Sequence, residues 1–137
     1  MKKHLMPVCI HLSATPSVAW SLVAHSSTNN DGGSIRKTTD VFQLATAVLF
    51  QNPIQNFALA PNNLTDAPQV CLDFMKQVPT TWDETRFIDG YPGKYVVLAR
   101  RHADQWYIAG INAQKEPLKL KLNLPMCTKG DKVMLYQ

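Results

Sequence analysis

The spacing of apolar residues changes twice along this chain. Residues 1–35 show no sustained period, and the run HSSTNNDGGS at residues 25–34 has the composition of a loop or linker. Residues 36–77 follow the three-and-four spacing of helices, and residues 78–137 follow the two-residue spacing of strands. We therefore predict three parts: a poorly defined N-terminal segment, a helical segment and a C-terminal antiparallel β domain.

The first predicted helix begins after a polar residue that can cap it. Thr39 or Asp40 can accept hydrogen bonds from the free N–H groups of the first turn. The apolar residues that follow lie on one stripe of a helix, and they are Val41, Leu44, Ala45, Val48 and Leu49. Such a stripe has to pack against another part of the protein.

Two more helices are predicted before the β domain. Pro53 can occupy the first position of a second helix. The apolar face of that helix would consist of Ile54, Phe57 and Ala58. A third helix begins near Thr65 or Asp66 and ends before Pro79. Its apolar face would consist of Val70, Cys71, Phe74 and Met75.

Strands are predicted throughout the last part of the chain. Residues 94–101 and 105–112 are rich in Tyr, Val, Ile and Trp, and the short link between them suits an antiparallel hairpin. In residues 117–124, Leu alternates with Lys or Asn, which predicts a strand with one buried and one wet face. Residues 132–136 predict a further strand with an unpaired edge. Helices followed by such strands predict an α+β fold.

Composition and charge bound the class of protein. The chain has 137 residues, 45% hydrophobic and 18% charged, which is enough for one core. Its net charge of +4 comes from scattered residues and not from a basic stripe with interleaved aromatics. No run approaches the roughly 18 apolar residues that a membrane span needs. We therefore expect neither a nucleic-acid partner nor a membrane span.

Neither the N-terminus nor the cysteines define the cellular compartment. The basic start is similar to that of a secretory signal, but Pro7 and His11 interrupt its apolar stretch. Cys9, Cys71 and Cys127 are odd in number and far apart, so they predict neither a disulfide framework nor a zinc site. The location of the chain is therefore unknown from these residues.

The carboxylates of the β domain do not predict a catalytic pair. Asp83 and Glu84 are adjacent, but consecutive side chains on a strand point to opposite faces and cannot converge on one substrate. We expect both to be structural, accepting hydrogen bonds from Arg86 or from backbone N–H groups. Asp89 is interpreted as part of a turn formed by DGYPG.

The remaining polar residues predict no site either. His4, His11, His25 and His102 lack the i, i+4 spacing and the companion carboxylate of a metal site. No G-x-S-x-G elbow occurs, so no serine nucleophile is predicted. We therefore predict no catalytic residue and no metal ligand in this chain, and its substrate-binding residues stay unknown.

Aromatic residues carry the remaining functional possibility. Five of them lie on predicted strands or turns: Trp82, Tyr91, Tyr95, Trp106 and Tyr107. Large aromatic side chains in a small β domain belong by default to the core. Alternation along the strand predicts that one of Trp106 and Tyr107 lies in the core and the other points outward. Exposed aromatic rings can stack on sugars, so a carbohydrate-binding module is an alternative.

Four segments carry a specific combination of motifs. They are TTDVFQLATAVLFQNPIQNFA at residues 38–58, VPTTWDETR at 78–86, YPGKYVVLARR at 91–101 and WYIAGI at 106–111. The first is similar to the final helical segment of the (β/α)8 catalytic barrel of glycoside hydrolase family 97. The other three resemble the opening strands of that family's C-terminal β-sandwich. The resemblance covers residues 36–137, and it implies an incomplete, sandwich-like β domain.

This resemblance implies that the chain is the truncated C-terminal part of a glycosidase. The family contains α-glucosidases and α-galactosidases that act on α-linked oligosaccharides, and we expect an α-glucosidase first and an α-galactosidase next. For the full-length enzyme the resemblance implies calcium, bound through glutamates beside the substrate, and a periplasmic location. It implies no cofactor for this chain. The implied partner is the catalytic barrel of the same enzyme.

Three functional hypotheses follow. In the first, the chain is non-catalytic and its β domain packs on and stabilises the barrel. That hypothesis predicts an exposed apolar stripe on the first helix when the barrel is missing, formed by Val41, Leu44, Val48 and Leu49. The second is a free-standing carbohydrate-binding module, and the third is a self-sufficient small hydrolase. Glycoside hydrolysis requires two facing carboxyl groups, which the sequence does not offer, and this favours the first.

Overall fold

The structure is a computed structural model that describes residues 5–11, 39–57, 63–128 and 130–136. Its elements are β1 (Leu5–His11), α1 (Asp40–Leu49), α2 (Asn63–Asp66), α3 (Gln69–Gln77), β2 (Glu84–Tyr91), β3 (Tyr95–His102), β4 (Gln105–Asn112) and β5 (Leu135–Tyr136). The helices precede the three antiparallel strands that form most of the sheet, so the predicted α+β class is confirmed.

One sheet of five strands, in the order β2-β3-β4-β1-β5, organises the described residues. Strands β2, β3 and β4 are antiparallel neighbours, whereas β1 runs parallel to both β4 and β5. β1 lies in the part for which the sequence predicted no structure, because the period of one short apolar run does not identify a strand. A sandwich needs a second sheet, and the described residues do not confirm that part of the prediction.

The predicted hairpin between β3 and β4 is confirmed. His102 pairs with Gln105 across a two-residue turn, and every residue of the two strands is in register. Ala103 in this turn has φ 51°, in the left-handed region. A two-residue turn with positive φ matches the right-handed twist of the strands it joins, which is why such a short link closes the hairpin.

The turn between β2 and β3 lies later than predicted. The backbone N–H of Lys94 donates to the carbonyl of Tyr91 at 2.9 Å, and Gly93 has φ 74°, as the third residue of a type II turn requires. Asp89 was expected in the turn but lies in β2, directly after a bulge. Its Oδ1 accepts hydrogen bonds from the next backbone N–H at 2.8 Å and from the hydroxyl of Tyr95 at 3.1 Å. The carboxylate therefore fastens β2 to β3.

Helix α1 packs its apolar stripe against the sheet. Thr39 caps the helix, and its Oγ1 accepts a hydrogen bond from the backbone N–H of Phe42 at 3.3 Å. Leu44 is 0% exposed and Val48 is 1% exposed, in one core with Tyr107 of β4. The predicted exposed stripe is therefore wrong, because the sheet itself covers this face of the helix.

The segment after α1 is not the predicted second helix. Residues 51–57 are irregular, and Ile54 is 78% exposed. The Oδ1 atom of Asn52 accepts a hydrogen bond from the backbone N–H of Ile54 at 3.0 Å. Such a local turn competes with helix formation, and it explains why the proline between them does not open a helix. Ala58, the third residue of the predicted face, lies outside the described residues.

The predicted third helix is present in two pieces. α2 and α3 are separated at Pro68, which cannot donate the backbone hydrogen bond that a continuous helix would require. α3 ends as predicted: the backbone N–H of Val78 donates to the carbonyl of Phe74 at 2.8 Å, directly before Pro79. The residue before a proline is restricted to extended conformations, which stops the helix there.

The leucine-rich segment at residues 117–124 forms no strand, because its backbone pairs with no described strand. Its side chains still alternate as predicted. Leu120, Leu122 and Leu124 pack against the core, whereas Lys119 and Lys121 are exposed. Of the strand predicted at residues 132–136, only β5 forms, at the edge of the sheet.

The sheet carries a core on each face. The core on the helical side includes Leu44, Val48, Phe74, Tyr107 and Ala109. The core on the other side includes Val97, Ala99, Trp106, Ile108 and Met126. Trp106 is 4% exposed and Tyr107 is 2% exposed. The prediction that one of the two rings points outward is therefore wrong, because both faces of β4 are covered.

Candidate functional site

A cluster of charged side chains lies where the chain enters β2. Glu84 accepts a hydrogen bond from Arg86 Nε at 2.6 Å through Oε1, and one from Arg101 Nε at 3.3 Å through Oε2. Asp83 Oδ2 accepts from the backbone N–H of Ala103 at 2.7 Å. Arginine and backbone donors are the partners that the sequence predicted. They fasten the start of β2 to the turn between β3 and β4.

The electrostatics of this cluster do not suit acid–base catalysis. The hydrogen bond from Arg86 holds the pKa of Glu84 below its ordinary value, outweighing desolvation, and Arg101 acts in the same direction. The general acid of a glycosidase needs a raised pKa instead, as an apolar surrounding provides. The cluster therefore anchors the start of β2.

A shallow groove of about 410 Å³ lies beside the turn between β2 and β3. We call it the hairpin groove. Its lining includes Phe87, Gly90, Tyr91, Lys94, Val96 and Ile111. Phe87 is 66% exposed and Tyr91 is 60% exposed, and Lys94 Nζ lies 4.7 Å from the centre of the Tyr91 ring. Among the residues predicted as aromatic contacts, Tyr91 is the one that faces open space here.

The two tryptophans of the β domain belong to its interior. The Trp82 ring makes an edge contact with the Tyr107 ring at a centroid distance of 5.2 Å. The Trp106 ring lies under the guanidinium of Arg86 at 5.0 Å. These contacts confirm the default core role for Trp106, which is buried, whereas Trp82 is partly buried against the helical-side core.

Arg100 is a residue that the sequence did not single out. It is 1% exposed, and its Nη1 donates to the carbonyl of Phe50 at 2.9 Å. Its guanidinium also lies 5.4 Å from the Trp82 ring, and burial lowers its pKa. Arg100 lies on the same face of β3 as Val96 and Leu98, which pack against the helical-side core, and this alternation could have indicated its burial. Arg100 joins α1 to the sheet.

The remaining titratable groups form no reactive site among the described residues. His102 Nδ1 lies 2.9 Å from the carbonyl oxygen of Thr81. Cys71 is buried, and burial together with the charge of Asp131 raises the pKa of the Cys127 thiol. The side chains of the other three histidines and of the remaining cysteine lie outside the described residues.

No group of three or more His, Cys, Asp or Glu side chains within the described ranges could hold a metal ion. The calcium that the family resemblance implies therefore finds no fitting set of ligands in these residues. Within the same ranges, no helix has the length and apolar character to cross a membrane.

A comparison with protein families decides what the β domain is. A model described as the glycosyl-hydrolase 97 C-terminal, oligomerisation domain matches residues 81–137. We call residues 81–137 the family 97 domain after the model that they match. The charged cluster, Arg100 and the hairpin groove all lie in these residues, and the resemblance drawn from the sequence motifs is confirmed for them.

Two curated relatives are similar to part of the chain. A protein named retaining alpha-galactosidase, from Bacteroides thetaiotaomicron, is 41% identical over 69 residues, which are 50% of this chain and 10% of the relative. A probable retaining alpha-galactosidase from Streptomyces bingchenggensis is 39% identical over 72 residues, 53% of this chain and 11% of the relative. The chain thus spans about a tenth of the length of these relatives.

A solved structure extends the likeness beyond the family 97 domain. The crystal structure of a beta-arabinopyranosidase matches with 78% sequence identity and a TM-score of 0.67, over 72% of this chain and 16% of that one. That share is about 99 of 137 residues, whereas residues 81–137 number only 57. The likeness therefore includes residues that precede the family 97 domain.

Proposed function

We propose that this chain is the C-terminal part of a retaining glycosidase that cleaves α-galactosides, β-arabinopyranosides or both. The observation that carries this proposal is the 78% identity to a beta-arabinopyranosidase, together with two relatives named as retaining alpha-galactosidases. None of these three names is an α-glucosidase. We therefore rank α-galactosidase activity ahead of the α-glucosidase activity that the sequence alone put first.

The two proposed substrate classes are chemically close. An α-D-galactoside and a β-L-arabinopyranoside have the same configuration at each shared ring carbon, and the galactoside carries one additional hydroxymethyl group. One methylene in an apolar pocket changes kcat/KM by about 10- to 200-fold, and a pocket built to bind the hydroxyl of this group discriminates by about 10⁴-fold or more. One parent enzyme can therefore act on both classes while strongly preferring one of them.

Within that enzyme we assign the family 97 domain a structural, non-catalytic role. Its most prominent carboxylates, Asp83 and Glu84, are committed to arginine and backbone donors. The helical segment is fixed to its sheet by α1 and by Arg100. We infer that the domain packs on and stabilises the catalytic part, and that it contributes to oligomerisation as the description of its family states.

Calcium and location belong to the proposal for the full-length enzyme only. We place the calcium site, with the glutamates implied by the resemblance, in the catalytic part, since the described residues offer no matching cluster. The periplasmic location remains an expectation from the family. Neither of these enters the role that we assign to this chain.

A carbohydrate-binding module is the alternative function. The exposed ring of Tyr91 in the hairpin groove is the observation that favours it. Sugar sites combine such rings with several polar side chains that fix the hydroxyl groups, and the lining of this groove is mostly apolar. Titration with galactosides or maltooligosaccharides, followed through the tyrosine resonances, would support the alternative only if the Tyr91 signals shifted saturably.

The proposed activity is tested on the full-length gene product. The reading frame that contains this chain is extended to its genomic start and stop codons, and its product is assayed with three nitrophenyl glycosides. We expect nitrophenol release from the α-D-galactopyranoside or the β-L-arabinopyranoside, well above release from the α-D-glucopyranoside, and a first product that keeps its anomeric configuration. Fastest cleavage of the glucoside, or inversion, would overturn the proposal. This chain alone should release none.

A further inference from the structure

The dipeptide Asp89–Gly90 lies at an irregular point of an edge strand. β2 is an outer strand of the described sheet, and Asp89 directly follows its bulge. Tyr91, the next residue but one, begins the turn into β3. Asp89 and Gly90 are both partly exposed. Local opening costs least where few buried contacts hold the chain, so the backbone here can change conformation while the core stays folded.

The side chain of Asp89 is held against the backbone nitrogen of the next residue. The N–H of Gly90 donates to Asp89 Oδ1 at 2.8 Å. The carboxyl carbon Cγ is bonded directly to that oxygen, so the nitrogen and Cγ are already close together. A rotation of the peptide group during local opening turns the nitrogen from donating toward attacking Cγ. The fold therefore holds together the two atoms whose bond would close a five-membered ring, which is the advantage of an intramolecular reaction.

The packing of the strands explains why both residues stand at these positions. An added Cβ at Gly90 would lie 2.9 Å from the carbonyl oxygen of Tyr95 and 3.2 Å from the Cα of Val96, so a larger residue does not fit. The carboxylate of Asp89 accepts a hydrogen bond from the Tyr95 hydroxyl at 3.1 Å, which ties β2 to β3. Glycine has no side chain to hinder attack by its nitrogen. The fold therefore places an easily cyclised pair of residues at this point.

We propose that Asp89 is a modification site at which the folded chain converts aspartate to isoaspartate through a succinimide. In the first step the Gly90 nitrogen attacks Cγ of the uncharged carboxyl group. The N–Cγ bond forms, the Cγ–O bond breaks, and the N–H proton and the carboxyl O–H group leave as water. In the second step water adds to the main-chain carbonyl carbon of the ring and breaks its bond to the nitrogen. The backbone then runs through Cβ, and no reactant other than water is consumed.

Isoaspartate at residue 89 changes the end of β2. It adds a methylene group to the backbone, so Tyr91 no longer matches its partner Tyr95 in the ladder. The new carboxylate is attached directly to Cα, which draws it away from the Tyr95 hydroxyl that it binds in the unmodified chain. We therefore expect the modified chain to unfold at a lower temperature than the unmodified one.

The test incubates the folded chain for weeks in mildly acidic buffer at physiological temperature. Trypsin then releases residues 87–94, FIDGYPGK, by cleavage after Arg86 and Lys94. Chromatography with electron-transfer fragmentation distinguishes the aspartyl, succinimidyl and isoaspartyl forms of this peptide. Conversion in the folded chain should proceed within about tenfold of the rate in synthetic FIDGYPGK, because only local opening is needed. A reaction that required global unfolding would be slower by about a thousandfold or more.

Two controls separate this site from general ageing of the chain. Asp104 is exposed in the turn between β3 and β4 but is followed by Gln105, so it should stay unconverted in the same samples. Asp89→Glu keeps the carboxylate but would have to close a six-membered ring, so the aged variant should keep its melting midpoint by circular dichroism while the aged wild-type chain loses part of its stability. The proposal is overturned if Asp89 stays unconverted while the synthetic peptide converts, or if Asp104 converts as fast as Asp89.

Discussion

At the scale of single residues, Arg100 connects parts of the chain that are far apart in sequence. Its guanidinium donates to the carbonyl of Phe50, just after the C-terminal end of α1, where the helix dipole favours a positive charge. Its Nε has no hydrogen-bond partner among the described residues. Burial lowers the pKa of Arg100, but an arginine side chain stays charged. The residue is therefore a costly but specific link between the helical segment and the sheet.

Replacing Arg100 tests this link. Arg100→Ala removes the buried side chain and its hydrogen bond to the carbonyl of Phe50, so we expect a loss of about 2–4 kcal/mol in the free energy of unfolding. Arg86→Ala is the matched control in the neighbouring strand, since the Arg86 side chain is 44% exposed and should cost less than about 1 kcal/mol. Urea unfolding of both variants measures the difference, and equal losses would show that Arg100 is no special link.

The contrast between Arg100 and the acidic pair shows what can be read from a strand pattern. The bond from Arg86 to Glu84 was predictable because the two residues are two positions apart on one strand, where alternation places them on the same face. The role of Arg100 depends on a carbonyl fifty residues earlier, as the hydrogen bond to Phe50 shows. No local period contains that information, so the strand pattern could indicate the burial of Arg100 but not its partner.

At the scale of elements, the periods of apolar residues predicted whether a segment is a helix or a strand better than they predicted what it packs against. The stripe of α1 and the two strands β3 and β4 were recognised from their periods. The second predicted helix failed because Asn52 forms a local turn with the backbone of Ile54. The partner of α1 was also mistaken: its stripe packs on the sheet, since a period shows that a face is buried but not what covers it.

A substitution in α1 distinguishes these two partners. If the sheet covers the stripe, Leu44→Ala leaves a cavity in the core and should cost about 2–5 kcal/mol in the isolated chain. If the stripe belonged against a missing barrel, the same change would cost little. Val70→Ala in α3 provides the control, because Val70 is 45% exposed and should cost less than about 1 kcal/mol. Thermal unfolding followed by circular dichroism measures both.

At the scale of the whole molecule, the family 97 domain and the helical segment share one core. Leu44 and Val48 of α1 contact the same buried cluster as Tyr107 and Ala109 of β4, and β1 lies between β4 and β5. The sequence match to the family model begins at residue 81, and this boundary cuts through the shared core. The likeness to the beta-arabinopyranosidase extends across that boundary as well, which fits a folding unit larger than the family 97 domain.

Cutting the chain at the family boundary tests whether the core is shared. Residues 81–137 alone would expose the helical-side face of β3 and β4, including Tyr107 and Ala109, so we expect no cooperative unfolding and strong binding of a hydrophobic dye. The full chain should unfold cooperatively and show near-ultraviolet dichroism from Trp82 and Trp106, whose rings are fixed by neighbours. Extending the fragment back to residue 5, which restores both β1 and α1, should recover both properties. A fragment that melts as cooperatively as the full chain would instead mean that the sheet is stable alone and that α1 only rests on it.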